Sequence, residues 1–322
     1  MVLHIFSFEK EHKFRKQTED YIFSEKNLKE KSIFISFNKE NFFSITLTIL
    51  KAIVFNYRIV FHGIDKKTLA VFFLLSFNKK WLQPWGGEIR WLTGRSIKGK
   101  LKKFLILKVF YSSQIVSTDS GEFLFRDYPI KIDKVNLVSG GILSNYIQHS
   151  YDRVPNKGYI MVGHSAHKCN RHLEILNSFD FVKQSLLVPL AYSKSETYIQ
   201  EIISLLRRNE YSYRILNETI SKREYYEVLN SFVNTAIIAS ANCGMAYSNV
   251  IHLLYMGKTV VLPEENKIYR HLCKLGCHIL PISKFNLGDS ITELEMEVNR
   301  AVILKHFSIE RIRCNYENWY NI

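Results

Sequence analysis

The stretch that most constrains this chain lies near its middle, Tyr159 to Leu176, reading YIMVGHSAHKCNRHLEIL. An apolar run stops at Gly163. A short polar turn follows with His164, Ser165 and Asn170, and apolar residues then recur at Leu173 and Leu176. This pattern predicts a buried strand, a glycine turn and a helix start, a junction whose backbone N–H groups and helix dipole suit a phosphate. It opens near residue 160 of 322, so it predicts the beginning of a second nucleotide-binding half rather than the beginning of the fold.

The flanking sequence agrees with two halves. Apolar runs over 2–7, 32–37, 58–61, 80–84 and 114–117 read as strands, with helical spacing over 43–52, 67–75 and 98–111. The alternation lapses between 140 and 158, where Gly140, Gly141, Pro155, Asn156 and Gly158 crowd together. It then resumes. Strands are expected over 159–162, 185–189, 213–216, 235–239, 259–262 and 278–281, and helices over 170–178, 196–207, 222–232, 249–256 and 291–305. Strand–helix alternation of this kind predicts α/β architecture with parallel sheets covered on both faces. The expected arrangement is two Rossmann-like doubly wound domains facing across a cleft. One domain covers 1–150 and a second 151–305, the acceptor-binding and donor-binding halves in the resemblance described below, and a C-terminal helix over 306–322 packs back on the first.

Bulk properties narrow the partners. A length of 322 residues, 47% of them apolar, suits two buried cores of about 150 residues each. The net charge of +14 points to an anionic partner, although AT-rich coding also raises lysine content with no partner implied. Nucleic acid is not expected, because the positive charge is spread along the chain with no helix-turn-helix or basic aromatic motif. The five cysteines include no CxxC pair, which fits a reducing compartment. Cys273 and Cys277 read as one face of a helix rather than a zinc pair. The apolar-rich region Phe42 to Phe61 is broken by Lys51, Asn56 and Arg58, so membrane contact is expected to be peripheral. The expected location is cytoplasmic, and the resemblance described below implies the cytoplasmic face of the inner membrane.

Chemistry-bearing residues recur just after expected strands. They are His62-Gly63, Trp85-Gly86-Gly87-Glu88, Gly163-His164-Ser165, Pro189 to Tyr192, and Glu264 to Asn266. Each alone is also what a tight turn needs. Together, split between two halves, they match the carboxyl-end crevice of doubly wound sheets. The chain has no GxxxxGK[ST], no GxGxxG, no GxSxG and no Asp-x-Asp pair. A carboxylate-held metal therefore has no evident seat, and no cofactor is expected. A diphosphate-recognising cleft between two α/β domains fits a GT-B glycosyltransferase.

Five segments carry a closer resemblance: FHG at Phe61–Gly63, WGGE at Trp85–Glu88, VGHSAHKCNRH at Val162–His172, VPLAY at Val188–Tyr192, and VVLPEEN at Val260–Asn266 after Tyr226. Their order and spacing over residues 55–285 resemble the TDP-N-acetylfucosamine:lipid II N-acetylfucosaminyltransferase family. The resemblance implies transfer of a deoxyamino sugar, Fuc4NAc or a relative, from a TDP-sugar to a polyprenyl-diphosphate-linked glycan. Such transfer serves O-antigen or enterobacterial common antigen synthesis. It places the diphosphate at Gly163 and Ser165 and at the loop carrying Gly244, Ser248 and Asn249, and counts His164 and Asn170 among the donor-binding residues. Glu265 and Asn266 would bind donor hydroxyls, although Glu265 also reads as a solvated acid. Tyr192 would stack on thymine or stand as a rim aromatic. The chain departs from the family at CGMAYSN, at His164 and at Arg171, which points to a related donor sugar.

Transfer requires deprotonation of the acceptor hydroxyl. Glu88 is the first candidate base and His62 the second, with Asp119 and Glu122 behind them. Gly63, Trp85, Gly86 and Gly87 would line the acceptor side. Lys98, Lys100, Lys102 and Lys103, interleaved with Leu101 and Phe104, read as a basic amphipathic helix for an anionic bilayer, or as a lysine-decorated packing helix. A nucleotide-sugar epimerase of the same architecture, or a basic nucleic-acid-binding protein, is the alternative reading.

Overall fold

The computed structural model describes residues 1–7, 19, 26–36, 42–75, 80–83, 97–112, 114–116, 132–133, 143, 147, 157–191, 195–218, 220–240 and 246–321. The chain divides into two compact units, unit 1 from residues 1–139 with 310–322 and unit 2 from residues 140–309.

Unit 1 is built on β1 (Val2–Phe6), β2 (Ser32–Ser36), β3 (Arg58–His62), β4 (Lys80–Gln83), β5 (Gln114–Val116) and β6 (Ile132–Asp133). Its described helices are α1 (Lys26–Glu30), α2 (Phe42–Val54), α3 (Lys66–Leu74), α4 (Ile97–Ser112) and, from the C-terminus, α11 (Ile309–Asn321). All strands run parallel in the order β2-β1-β3-β4-β5-β6. The order reverses direction between β1 and β3, which makes that the switch point of the sheet.

Right-handed crossovers fix where the helices lie. The connections β2 to β3, β3 to β4 and β4 to β5 all advance the same way across the sheet. They therefore place α2, α3 and α4 side by side on one face. One hydrophobic cluster confirms this, joining Leu3, Ile5, Ile59, Phe61 and Leu82 of the strands to Ile45 and Ala52 of α2, Val71 and Phe72 of α3, and Ile106 and Val109 of α4. The alternate side chains, including His4, Phe6 and His62, point to the opposite face, where Tyr320 of α11 meets His4. Helix α3 starts cleanly because Asp65 and Thr68 cap each other reciprocally. Thr68 N–H donates to Asp65 Oδ1 and Asp65 N–H to Thr68 Oγ1, both at 2.8 Å.

Unit 2 repeats the architecture with β7 (Tyr159–Val162), β8 (Ser185–Pro189), β9 (Ser212–Leu216), β10 (Val233–Ile237), β11 (Thr259–Leu262) and β12 (Leu280–Pro281). Between them run α5 (His172–Ser178), α6 (Glu196–Arg208), α7 (Lys222–Phe232), α8 (Tyr247–Tyr255) and α9 (Lys267–Leu275), with α10 (Glu293–Phe307) closing the unit. The strands are parallel in the order β12-β11-β10-β7-β8-β9. This is the dinucleotide-fold order, and its switch point lies between β7 and β10. Two apolar clusters fill the faces, one with Met161, Ala236, Val260 and Leu262 and the other with Ile160, Val162, Leu186, Ile237 and Val261. Leu143 and Ile147, read from sequence as part of the first half, are buried in the first of these clusters. Capping boxes Ser221/Glu224 and Thr292/Glu295 start α7 and α10.

Four expectations are corrected. A 3₁₀ turn over Lys168–Asn170 and a left-handed Arg171 (φ 53°) intervene before α5, so the helix begins at His172 and not at residue 170. It is too short and too late to bring a helix dipole to Gly163. Cys273 and Cys277 do not share a helix, because Gly276 (φ 100°) ends α9 between them. Strand β12 is shorter than the 278–281 run, starting at Leu280. Helix α4 is not amphipathic in the expected sense: Leu101 and Phe104 face outward with Lys100 and Lys108, while Ile106 and Val109 supply its core contact.

Candidate functional site

The switch point of unit 2 brings together the residues after β7. Gly163 has φ 71°, a conformation that L side chains rarely adopt. Its amide donates to Ile237 O at 2.9 Å, tying the β7 end to β10. A Cβ at this position would stand 2.3 Å from His172 Nε2. Glycine is thus required both by the turn and by the imidazole packed against it.

The hydrogen bonds around this turn fix which groups are left over. Asn170 Nδ2 donates to Ser165 O (2.8 Å), Ser165 Oγ (3.2 Å) and His167 O (3.2 Å), which folds the Ser165–Asn170 loop on itself. Tyr198 Oη accepts from the His172 backbone N–H at 3.2 Å and lies 3.4 Å from His172 Nδ1. Its hydroxyl hydrogen is then available to Nδ1, which leaves the proton of a neutral His172 on Nε2. His164 Nδ1, Asn170 Oδ1 and His172 Nε2 are buried with no hydrogen-bond partner. Buried polar atoms are nearly always paired, and each unpaired one costs about 1–3 kcal/mol. Three such atoms lie at this one switch point. Burial holds His164 at about 4, against the neighbouring Asn170 side chain, which favours the charged form, and the His167 charge, which opposes it. Burial, then His164, holds His172 at about 4. Both are neutral at pH 7 and would meet a ligand as hydrogen-bonding groups rather than as cations.

The other donor-side expectations are distributed differently. Ser165 sits in the turn and is buried. Ser248 Oγ lies 3.2 Å from Tyr226 Oη, and Asn249 Nδ2 donates to Tyr225 Oη at 3.3 Å, so both side chains tie α8 to α7. Asn266 is buried and its amide is used at both ends. Oδ1 caps α9 through Ile268 N–H at 2.7 Å, and Nδ2 donates to Ser240 O after β10. It therefore holds the β11 end beside the β10 end. Glu265 is exposed. Tyr192 and Gly244 lie outside the described residues. Sequence reasoning passed over His252, one turn beyond Ser248. Its ring stacks on Tyr226 at 4.0 Å, its Nδ1–H donates to Ser248 O at 2.6 Å, and burial holds it at about 3. The i, i+4 spacing of Ser248 and His252 was the available signal.

In unit 1, His62 ends β3 and Gly63 (φ 77°) follows it. His62 is fully buried, with its ring stacked on Phe6 at 4.3 Å. A hydrogen-bond chain of fixed direction runs from it. Ser32 Oγ donates to Leu28 O (2.7 Å), so it accepts from Tyr320 Oη (2.6 Å). Tyr320 then accepts from His4 Nε2–H (2.6 Å), and His4 Nδ1 accepts from His62 Nε2–H (2.9 Å). Burial, then His62, holds His4 well below the usual imidazole range, consistent with this neutral tautomer. Burial, against the Ser32 contact, pushes the Tyr320 hydroxyl well above the usual phenol range, and it stays protonated. The chain thus places the proton of a neutral His62 on Nε2. Gln83, the last residue of β4, is the register partner of His62. Trp85, Gly86, Gly87 and Glu88 lie outside the described residues, as do Asp119, Glu122 and the side chains of Lys98 and Lys102; Lys103 is half-buried. A cavity of about 390 Å³ lined by Lys31, Asn56, Tyr57, Arg58 and Tyr320 lies at the amino ends of β1 and β3, opposite the switch point.

Among the described residues no three His, Cys, Asp or Glu side chains gather as a metal site requires. No helix among them is long and apolar enough to cross a membrane.

No protein-family model matches the chain, and no curated protein sequence matches it. Solved structures do. Anabaena HepE, solved with UDP, aligns with a TM-score of 0.62 at 10% identity over 99% of both chains. A glycosyltransferase from Rickettsia africae aligns with a TM-score of 0.61 at 13% identity, over 99% of this chain and 97% of that one. WaaG, a glycosyltransferase involved in lipopolysaccharide biosynthesis, aligns with a TM-score of 0.56 at 7% identity, over 100% and 95%. The chain therefore has the two-unit α/β fold of GT-B glycosyltransferases along its whole length.

Proposed function

We propose that this chain is a glycosyltransferase that binds a nucleoside diphosphate sugar at the switch point of unit 2. The observation that carries the reading is the group of unpartnered buried atoms, His164 Nδ1, Asn170 Oδ1 and His172 Nε2, around a glycine that admits no side chain. Their place at the β7/β10 switch point is where this fold takes its nucleotide. The whole-length likeness to sugar transferases, HepE among them with UDP bound, supports the same reading.

The diphosphate would lie against the Gly163–Ser165 backbone, with His172 Nε2–H as a donor to it. In transfer, the acceptor hydroxyl loses its proton to a base, its oxygen bonds the anomeric carbon, and the sugar–phosphate bond breaks to release the nucleoside diphosphate. We assign the base to Glu88, because His62 is enclosed in the sheet face and bonded to His4. Following the sequence resemblance, we take the donor to be a TDP-linked deoxyamino sugar and the acceptor a polyprenyl-diphosphate-linked glycan in surface polysaccharide synthesis. The experiment is a transfer assay on that acceptor with a panel of TDP- and UDP-sugars, read by product mass. A product carrying one added sugar from a TDP donor supports the reading. Absence of product with every donor, together with no nucleotide binding, would defeat it.

A further inference from the structure

The three helices on one face of unit 1 carry an outer surface that the donor site does not explain. Helix α2 turns Leu47, Leu50, Ile53 and Val54 outward around Lys51, and Val54 and the following Phe55 are 75% and 65% exposed. Neighbouring α3 exposes Leu74. Helix α4 exposes Leu101 (60%), Phe104 (62%) and Tyr111, with Lys100 and Lys108 on the same arc. In contrast, unit 2 exposes only Val182 and Leu294 among its described large apolar side chains. An exposed apolar surface of this extent marks a contact site.

The charge pattern selects the partner. Helices α2, α3 and α4 contain no Asp or Glu, against one lysine in α2, two in α3 and five in α4. Apolar side chains interleaved with lysines and free of acids complement a surface that is apolar beneath and negative above. A protein partner of mixed surface charge would leave these lysines without matched acids, whereas anionic head groups supply phosphate along the whole layer.

We infer that the α2–α3–α4 layer is a docking face for an anionic phospholipid bilayer, with Leu50, Val54, Phe55, Leu101 and Phe104 entering the interface and the exposed Lys51, Lys100 and Lys108 meeting head-group phosphates. This enlarges the lysine-rich segment expected from sequence into a three-helix face whose insertion is led by α2. The test is flotation of the full chain with phosphatidylcholine vesicles, with and without phosphatidylglycerol. Binding is expected only to the anionic vesicles, weakening as salt rises. Leu50→Ser with Val54→Ser, and separately Lys51→Glu with Lys100→Glu, should each lower binding by about tenfold or more. Leu294→Ser in unit 2 should leave it unchanged. These side chains are exposed, so the variants should keep the parent circular dichroism and nucleotide titration, and the two readouts separate docking from donor binding. The inference is overturned if the parent fails to float with anionic vesicles, if neutral vesicles bind it equally, or if the α2 variants bind as the parent does. It is also overturned if the same variants abolish a concentration-dependent dimer seen without lipid, which would make a second copy the occupant.

Discussion

The two units have the same plan, a six-stranded parallel sheet with a switch point, but they furnish the switch point and the helical layer differently. In unit 1 the side chains beside the switch point are committed to one another, through His62, His4, Tyr320 and Ser32, and the helical layer is rich in exposed apolar groups and lysines. In unit 2 the helices carry acids and capping boxes and expose little apolar surface, while the switch point leaves three buried polar atoms without partners. One fold thus serves two kinds of contact. Buried polar atoms left over at a strand end suit a small polar ligand, and apolar area on an open layer suits an extended surface.

The sharpest way to break this comparison is at Gly163. Gly163→Ala adds a Cβ against His172 in a left-handed turn, which should abolish nucleotide binding and cost unit 2 at least about 2 kcal/mol. Titration calorimetry and urea denaturation check both. Adding His172→Ala should remove the clash but not the backbone strain, so only part of the stability should return. An alanine variant with unchanged nucleotide affinity would mean the switch point of unit 2 is not special.

Acid comes next. His172 is held at about 4 and His252 at about 3, below the ~6.5 of an unfolded imidazole. Above that value neither state carries the proton and the groups contribute nothing. Between about 6.5 and 4 the unfolded chain takes up protons that folded unit 2 does not, so stability falls as pH falls, by up to about 3 kcal/mol for each imidazole. Urea denaturation across this range checks the effect. Replacing His252 with Gln should flatten the slope.

In unit 1, Tyr320→Phe removes the hydroxyl shared by His4 and Ser32, and should cost about 1–3 kcal/mol while leaving nucleotide binding untouched. A smaller effect is expected for Asn266→Ala, about 1 kcal/mol from the lost α9 cap and the tie to Ser240, with a modest loss of nucleotide affinity as the β10 and β11 ends loosen. Thermal denaturation with and without nucleotide reads both.

How much of this was legible in the sequence follows from the range of each interaction. Strands β1, β3, β7, β8 and β11 were plain because buried parallel strands are short continuous apolar runs. Gly163 was legible as a turn because the apolar run stops there. The imidazole that forbids a side chain at Gly163 was not, because His172 reaches it only through the 3₁₀ turn and the left-handed Arg171. The chain from Leu28 through Ser32, Tyr320 and His4 to His62 joins positions up to 316 residues apart, and no local pattern encodes it. Asn266 was read as a sugar ligand from the family resemblance; its amide is used as a helix cap, the commoner use of Asn at that place. The interleaving of lysines with Leu101 and Phe104 in α4 was visible in the sequence, but that Leu101 and Phe104 face outward with Lys100 and Lys108 depended on which side of the helix met the sheet.

The most direct test of the central claim is histidine-labelled NMR of the full chain titrated with TDP and UDP. The imidazole signals of His164 and His172 should move with nucleotide, while those of His4 and His62 stay in place. Signals of His164 and His172 that do not move at saturating nucleotide, or shifts confined to His4 and His62, would contradict it.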